Sequence, residues 1–189
     1  LSITANDVLI TCGAVQSVFS VFNTILNFND EVIILEPIWT TFSSIIKVNG
    51  GKPISISFLD DNFFRNLNNA VSNKTKAIVF NSPNNPTGYV FNQNLINYLV
   101  SIALKKNIYL IADEVYSYFQ YSKSKSSVFK NKLQYDKLIY INSFSKKYSM
   151  TGFRIGYLIA DKKVINSLKK ASQINITHIP PFIQLAAEK

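Results

Sequence analysis

Short, unbroken apolar runs recur along this chain, and stretches with helical spacing separate them. Val8-Leu-Ile leads into Cys12, Glu31-Val-Ile-Ile-Leu35 stops at Pro37, and Lys76-Ala-Ile-Val-Phe80 gives way to an Asn-Ser-Pro loop. Ile108-Tyr-Leu-Ile-Ala112, Leu138 to Ile141 and Ile155 to Ala160 follow the same plan. A run that is apolar on both faces reads as a strand covered on both sides, the condition of a parallel sheet between helix layers. Ala14 to Leu26 places apolar side chains at Val15, Val18, Phe19, Phe22, Ile25 and Leu26, which is helical spacing. Thr40 to Val48, Phe63 to Val71, Gln93 to Lys106 and Lys162 to Ser172 read as further helices, and Lys52 to Phe58, alternating Ile and Ser, as a strand. Strands alternating with helices predict crossover units and an α/β fold, three-layered α/β/α with a mostly parallel central sheet. No repeat or internal linker interrupts the pattern, so residues 1–189 are drawn as one domain.

The length suits one large domain with a substantial core. Apolar residues make up 47 % and charged residues 16 %, a globular balance. The longest apolar runs are strand-length, far below the roughly 20 residues that cross a bilayer. No charged-then-apolar leader opens the sequence, so a cytoplasmic protein without a membrane span is expected. The single cysteine, Cys12, excludes an internal disulfide and a cysteine-based metal site, and its place at a strand end predicts a small buried thiol. His178, the only histidine, has no partner for a metal, so no metal site is expected. The net charge is +9, but the lysines are dispersed, with loose clustering at Lys123, Lys125, Lys130 and Lys132 and no nucleic-acid motif. The charge fits anionic cofactors and substrates as well as it fits nucleic acid, and nucleic acid is not expected as a partner.

In sheets of this kind, ligands sit beyond the carboxyl ends of the strands. Polar clusters fall at those ends: Gly13, Trp39, Asn81-Ser82, Asp113 and Ser143. The richest runs Ser143-Phe-Ser-Lys-Lys-Tyr-Ser-Met-Thr-Gly-Phe-Arg-Ile-Gly-Tyr157. A lysine amine can condense with an aldehyde, while hydroxyls and a guanidinium hold a phosphate beside it. Thr11-Cys-Gly-Ala-Val15 opens a helix whose first N–H groups can bind phosphate without special side chains. Asp113 stands just past a fully apolar strand. Taken singly, each segment has an ordinary reading as well: a solvated basic loop, a capping aspartate, a core tryptophan.

Four elements occur together and in one order: Glu36-Pro-Ile-Trp-Thr-Thr-Phe42, Asn81-Ser-Pro-Asn-Asn-Pro-Thr-Gly88, Asp113-Glu-Val-Tyr116 and the Ser143–Tyr157 string. This set resembles the class I/II aminotransferases of fold type I, enzymes that depend on pyridoxal 5'-phosphate. The resemblance implies a transaminase moving an amino group from an amino acid to a 2-oxo acid, homodimeric when full-length. It implies that Lys146, directly after the second serine and eight residues before Arg154, forms the Schiff base, while Lys147 faces solvent. Gly13, Ala14, Val15, Ser143, Ser145 and Arg154 would hold the phosphate, though Val15 lacks the hydroxyl or lysine often found near this turn. Asn85 and Tyr116 would contact the phenolic oxygen, Asp113 the ring nitrogen and Trp39 the ring face, making Lys146, Asp113 and Tyr116 the catalytic set. Glu114, Tyr148 and Met150 are expected to be structural. The same residues also suit a pyridoxal-phosphate C–S or cyclopropane-forming lyase, or an aminotransferase-like effector domain of a transcription regulator. The resemblance assigns 1–189 to the cofactor-binding large domain. The small domain, the arginine for the substrate α-carboxylate and an N-terminal tyrosine would then lie outside it. Arg65, the only other arginine, sits among asparagines on a helix.

Overall fold

A computed structural model describes residues 3–122, 124–129 and 135–189. Of the loose lysine cluster, Lys123, Lys130 and Lys132 lie outside the described residues. Among the described residues, seven strands form one sheet in the order β1-β7-β6-β5-β4-β2-β3. They are β1 (Val8–Thr11), β2 (Glu31–Glu36), β3 (Lys52–Ser57), β4 (Thr75–Asn81), β5 (Tyr109–Asp113), β6 (Leu138–Ser143) and β7 (Gly156–Ile159). The helices are α1 (Gly13–Ile25), α2 (Thr41–Val48), α3 (Phe63–Ala70), α4 (Gln93–Lys106), α5 (Phe144–Lys147), α6 (Lys162–Asn175) and α7 (Pro181–Glu188).

Side chains alternate across the sheet, and the two faces bury two different apolar clusters. On β4, Ala77 and Val79 face α1, α2 and α6, meeting Val21, Phe22, Phe42, Ile46 and Leu168. Ile78 and Phe80 face the other way, packing with Phe63 and Leu67 of α3 and Ile96 and Leu99 of α4. Burying each such side chain is worth about 1.5–3 kcal/mol, so the central strands are held from both sides. The three-layer expectation is met. Helix α4 spans the predicted residues because its ends are chemically marked. The Asn92 side chain accepts from the Leu95 N–H at 2.9 Å, and Asn107 leaves the helix in the left-handed region at φ 56°. Helix α6 starts on the Asp161 carboxylate and runs to Asn175, three residues past the predicted Ser172.

The sheet is mostly parallel, as expected, and the exception is β7. Pairings β2–β3, β2–β4, β4–β5 and β5–β6 are parallel, whereas β7 is antiparallel to both β6 and β1. Only residues 144–155 join β6 to β7, and no crossover helix covering the sheet lies between them. The reversal matters for function. Strands β1, β2, β4, β5 and β6 end at one edge of the sheet, and β7 begins there. Gly156 consequently pairs with both Thr11 and Ser143, while Asn81, Asp113 and Ile141 stand in register on adjacent strands.

Candidate active site

A cavity of about 220 Å³ opens at this edge, lined by Ala14, Val15, Trp39, Asn81, Asn85, Asp113, Tyr116, Ser143, Ser145, Lys146 and Arg154 among others. Every predicted site residue but Gly13 contributes directly to its wall, and Gly13 forms the turn beneath Arg154.

At one end, the backbone turns from β1 into α1 at Gly13, whose φ of +79° lies in the left-handed region that glycine adopts without strain. Thr11 pins this turn: its hydroxyl donates to the Gly13 carbonyl at 3.2 Å and shares a 2.7 Å hydrogen bond with the Ser17 hydroxyl. The N–H groups of Ala14 and Val15 are first-turn donors unused inside the helix. Arg154 lies directly over them. A Cβ on Gly13 would stand 2.8 Å from Arg154 Nη2, so the missing side chain is what admits the guanidinium. Arg154 itself has φ +55°, and its Nη1 donates to the Thr151 carbonyl at 2.8 Å. Gly156 completes the cradle from the strand side. A Cβ there would meet the Gly13 carbonyl carbon at 2.9 Å and the Ala14 nitrogen at 3.0 Å. The Ser143 hydroxyl caps α5, accepting from the Ser145 N–H at 3.0 Å, and donates to the Ser145 hydroxyl at 2.9 Å. Two hydroxyls, two amides and a guanidinium converge here, a donor set suited to a phosphate or another tetrahedral anion.

The other end rests on the central strands. Asp113 is 7 % exposed, and its carboxylate accepts from the Val115 N–H at 3.2 Å. Burial pushes the carboxyl up to about 7, against the opposing pull of the Val115 N–H and the Lys146 ammonium. Lys146 carries its Nζ 5.4 Å from the centre of the Tyr116 ring. Lys147 turns away, to 4.6 Å from the Tyr148 ring and 5.5 Å from that of Tyr118, on the exposed surface. Only one of the two neighbouring lysines therefore lines the cavity. Trp39 is half-buried, edge-on to Phe42 with ring centres 6.0 Å apart.

The Asn81–Gly88 loop is organised by two asparagines that sequence reasoning left without a role. Asn84 donates to the Pro37 carbonyl at 2.7 Å and accepts from the Thr87 hydroxyl at 2.7 Å, tying the loop to the Trp39 segment. Asn81 links the loop to β5. Glu114, expected to be structural, is so: at 1 % exposure it accepts from the Ser127 hydroxyl at 2.6 Å and the Val128 N–H at 2.7 Å. Two smaller expectations need correcting. Cys12 is half-buried rather than buried, since it precedes the exposed first turn of α1. Tyr148 is exposed rather than packed in the core, its ring stacked on Phe144 at 5.5 Å. His178 is exposed as well, and among the described residues no three His, Cys, Asp or Glu side chains cluster as a metal site would need. None of the helices described is long and apolar enough to cross a membrane.

Fold and site thus place the molecule among the α/β proteins that open a cavity at the carboxyl edge of the sheet. The family model for aminotransferase class I and II matches residues 1–189, and the chain belongs to that family. It is 38 % identical over 191 residues to an aspartate aminotransferase of Thermotoga maritima, covering 99 % of this chain and 51 % of the relative. An aspartate aminotransferase of Sulfolobus acidocaldarius is also 38 % identical, over 98 % of this chain and 48 % of its own length. The crystal structure of the Thermotoga maritima enzyme superposes with a TM-score of 0.92 at 37 % identity, across 98 % of this chain and 50 % of that one. An aspartate aminotransferase of Thermus thermophilus crystallised with maleate gives the same TM-score at 31 % identity. The chain spans about half the length of the curated relatives it matches.

Proposed function

We propose that residues 1–189 are the cofactor-binding large domain of a pyridoxal-phosphate-dependent aminotransferase acting on an amino acid and a 2-oxo acid. The observation that carries this is the convergence of Lys146, Asp113, Asn85, Ser143, Ser145 and Arg154 on one cavity. The residues fit the cofactor chemically. The cradle at Gly13 is cationic and rich in donors, as a phosphate needs, and it sits at the far side of the cavity from the buried carboxylate. When bound, the cofactor supplies an aldehyde for the amine to engage and a ring that withdraws electrons from the substrate's α-carbon.

The protein's own residues divide the remaining work. Arg154, Ser143, Ser145 and the amides of Ala14 and Val15 would bind the phosphate. Trp39 would cover the ring, and Asn85 and Tyr116 would hydrogen-bond its phenolic oxygen. Asp113 would hold the proton on the ring nitrogen, and a positive nitrogen beside it would draw its carboxyl back toward the ionised form. Lys146 would hold the cofactor's aldehyde through Nζ, and its amine, once free, would serve as the base that moves the proton from the substrate's Cα. Orientation of the substrate carboxylate falls to a region outside 1–189, since Arg65 lies exposed on α3 and does not line the cavity. Family membership supports a homodimeric, cytoplasmic full-length protein.

The test is to load the full-length protein with pyridoxal phosphate, reduce with borohydride and map the labelled peptide. Label on Lys146 is expected. Label on Lys147, or scattered over surface lysines, overturns the assignment.

A further inference from the structure

Asn81 ends β4 facing Asp113 at the end of β5, and the two residues pair in register. Its side chain is 2 % exposed and both of its polar ends are engaged across the cavity floor. The Nδ2 group donates to the Asp113 carbonyl at 2.9 Å, and Oδ1 accepts from the Asn85 N–H at 2.7 Å. One amide thus ties together the residues read above as the partners of the ring nitrogen and of the phenolic oxygen. A pyridine ring is rigid, so those two partners must be held at a fixed separation if both are to meet it. Nothing else found in this loop spans the gap. Asn84 fastens the loop to Pro37, and the Ser82 N–H, at 3.0 Å, reaches only Asp113.

We infer that Asn81 is a positioning residue that sets the spacing between Asp113 and Asn85, and so fixes where the cofactor ring lies. The inference rests on the reading of the cavity as a pyridoxal phosphate site. An amide is the group the position calls for. Serine could donate or accept along these directions, but could not span both. Aspartate keeps the acceptor for Asn85 but loses the donor. It also sets a second carboxylate beside a buried one, which disfavours the ionised form of Asp113.

Asn81→Ala in the full-length protein is the test, with three readouts. Losing two hydrogen bonds and leaving the Asn85 N–H unpaired should weaken pyridoxal phosphate retention roughly tenfold, measured by equilibrium dialysis. The midpoint at which the bound cofactor's visible absorbance titrates should move to higher pH. A displaced Asn85 no longer donates to the phenolic oxygen, which then holds its proton more tightly. In the unliganded protein, the Asn85 amide should exchange with solvent faster while the amides of α4 stay at parental rates. Asn81→Asp is the second variant: Asn85 exchange should remain near parental, yet cofactor retention should fall at least as far. If Asn81→Ala unfolds, Asn81→Asp and Asn81→Ser are read in its place. Parental retention and a parental absorbance midpoint in the folded variants overturn the inference alone. Failure of the unsubstituted protein to bind pyridoxal phosphate overturns the reading of the site, and the inference with it.

Discussion

The two ends of the cavity are built by opposite means. The end proposed to hold an anion lies where β1 and β7 meet, near one edge of the sheet, and owes its shape to backbone. Gly13 and Arg154 both have positive φ, and Gly156 lets one strand approach the turn more closely than any side chain would allow. Its charged group, Arg154, is exposed. The ring end lies on β4 and β5, covered on both faces, and owes its shape to side chains: a buried carboxylate, a buried amide bracket and a loop knotted by Asn84. An anion with bulk water on one side needs only donors held at the right distance. A ring nitrogen needs a charge that burial has made costly, and burial is available only mid-sheet. The difference teaches that the sheet edge supplies geometry while its centre supplies electrostatics. Substitutions should therefore fail in different ways at the two ends.

The largest effect is expected where the two ends meet. Lys146→Ala should remove covalent capture of pyridoxal phosphate and slow transamination by the full-length protein at least about 10²–10⁴-fold, the usual worth of a positioned acid–base group. Phosphate binding, supplied by the other end, should persist as weaker, non-covalent retention. Steady-state rates and borohydride labelling check both halves. Label transferring to Lys147 would break the claim that only one lysine faces the cavity.

Next in size is the pH response of the ring end. Folding raises the Asp113 carboxyl from 3.8 and the Glu114 carboxyl from 4.5, each to about 7, chiefly through burial. Without ligand, the folded state thus keeps protons that the unfolded chain has released. That stabilising contribution is fully present below about pH 4 and is lost as pH rises through about 7. Asp113→Asn should gain on the parent by as much as a few kcal/mol across this window, read from urea midpoints at successive pH values. An equal gain at all pH values would mean that folding does not shift the Asp113 carboxyl.

The anion end should respond to bulk instead. Gly156→Ala places a methyl against the Gly13 and Ala14 backbone and 3.0 Å from the Asn142 carbonyl, all groups that cannot swing aside. A cost of about 1–3 kcal/mol in stability is expected, with weaker phosphate binding and no change in the pH response. Gly152→Ala, in the loop that leads into β7 and with open space around it, should be near neutral. Equal losses in the two variants would show that the loop as a whole, rather than the strand–turn contact, limits the cradle.

How far the molecule could be read from its sequence follows the same division. Element order and the two-faced core were legible because β4 and β5 are continuously apolar and α4 carries caps at both ends. Lys146, Asp113, Asn85 and Arg154 could be picked out as candidates because each stands at a fixed place in a local string, and all four line one cavity. The reversed β7 was not, since an apolar run carries no sign of its direction. Asn81 stood out only as a polar residue at a strand end, because its role lies in a bond to Asp113, 32 positions away, which only the fold brings near. Gly156 did leave a signal, a glycine two residues beyond Arg154, but its meaning depends on the Gly13 turn packed against it.

The smallest effect is expected at Lys147, and it sharpens the comparison by separating sequence adjacency from place. Lys147 follows Lys146 directly and shares α5 with it, yet successive residues on a helix point about 100° apart. Lys146 reaches the cavity while Lys147 rests its ammonium over the Tyr148 and Tyr118 rings, in water. Exposed cations of this kind contribute little, because solvent screens them and their side chains lose freedom when held. Lys147→Ala should change pyridoxal phosphate retention by less than about twofold and leave the label wholly on Lys146. The variant also tests whether α5 is positioned by the Ser143 cap and the strand beneath it or by its outer surface. If retention fell by tenfold or more, the exposed face of α5 would have to be counted as part of the site, and the sharp boundary drawn here between cavity wall and surface would not hold.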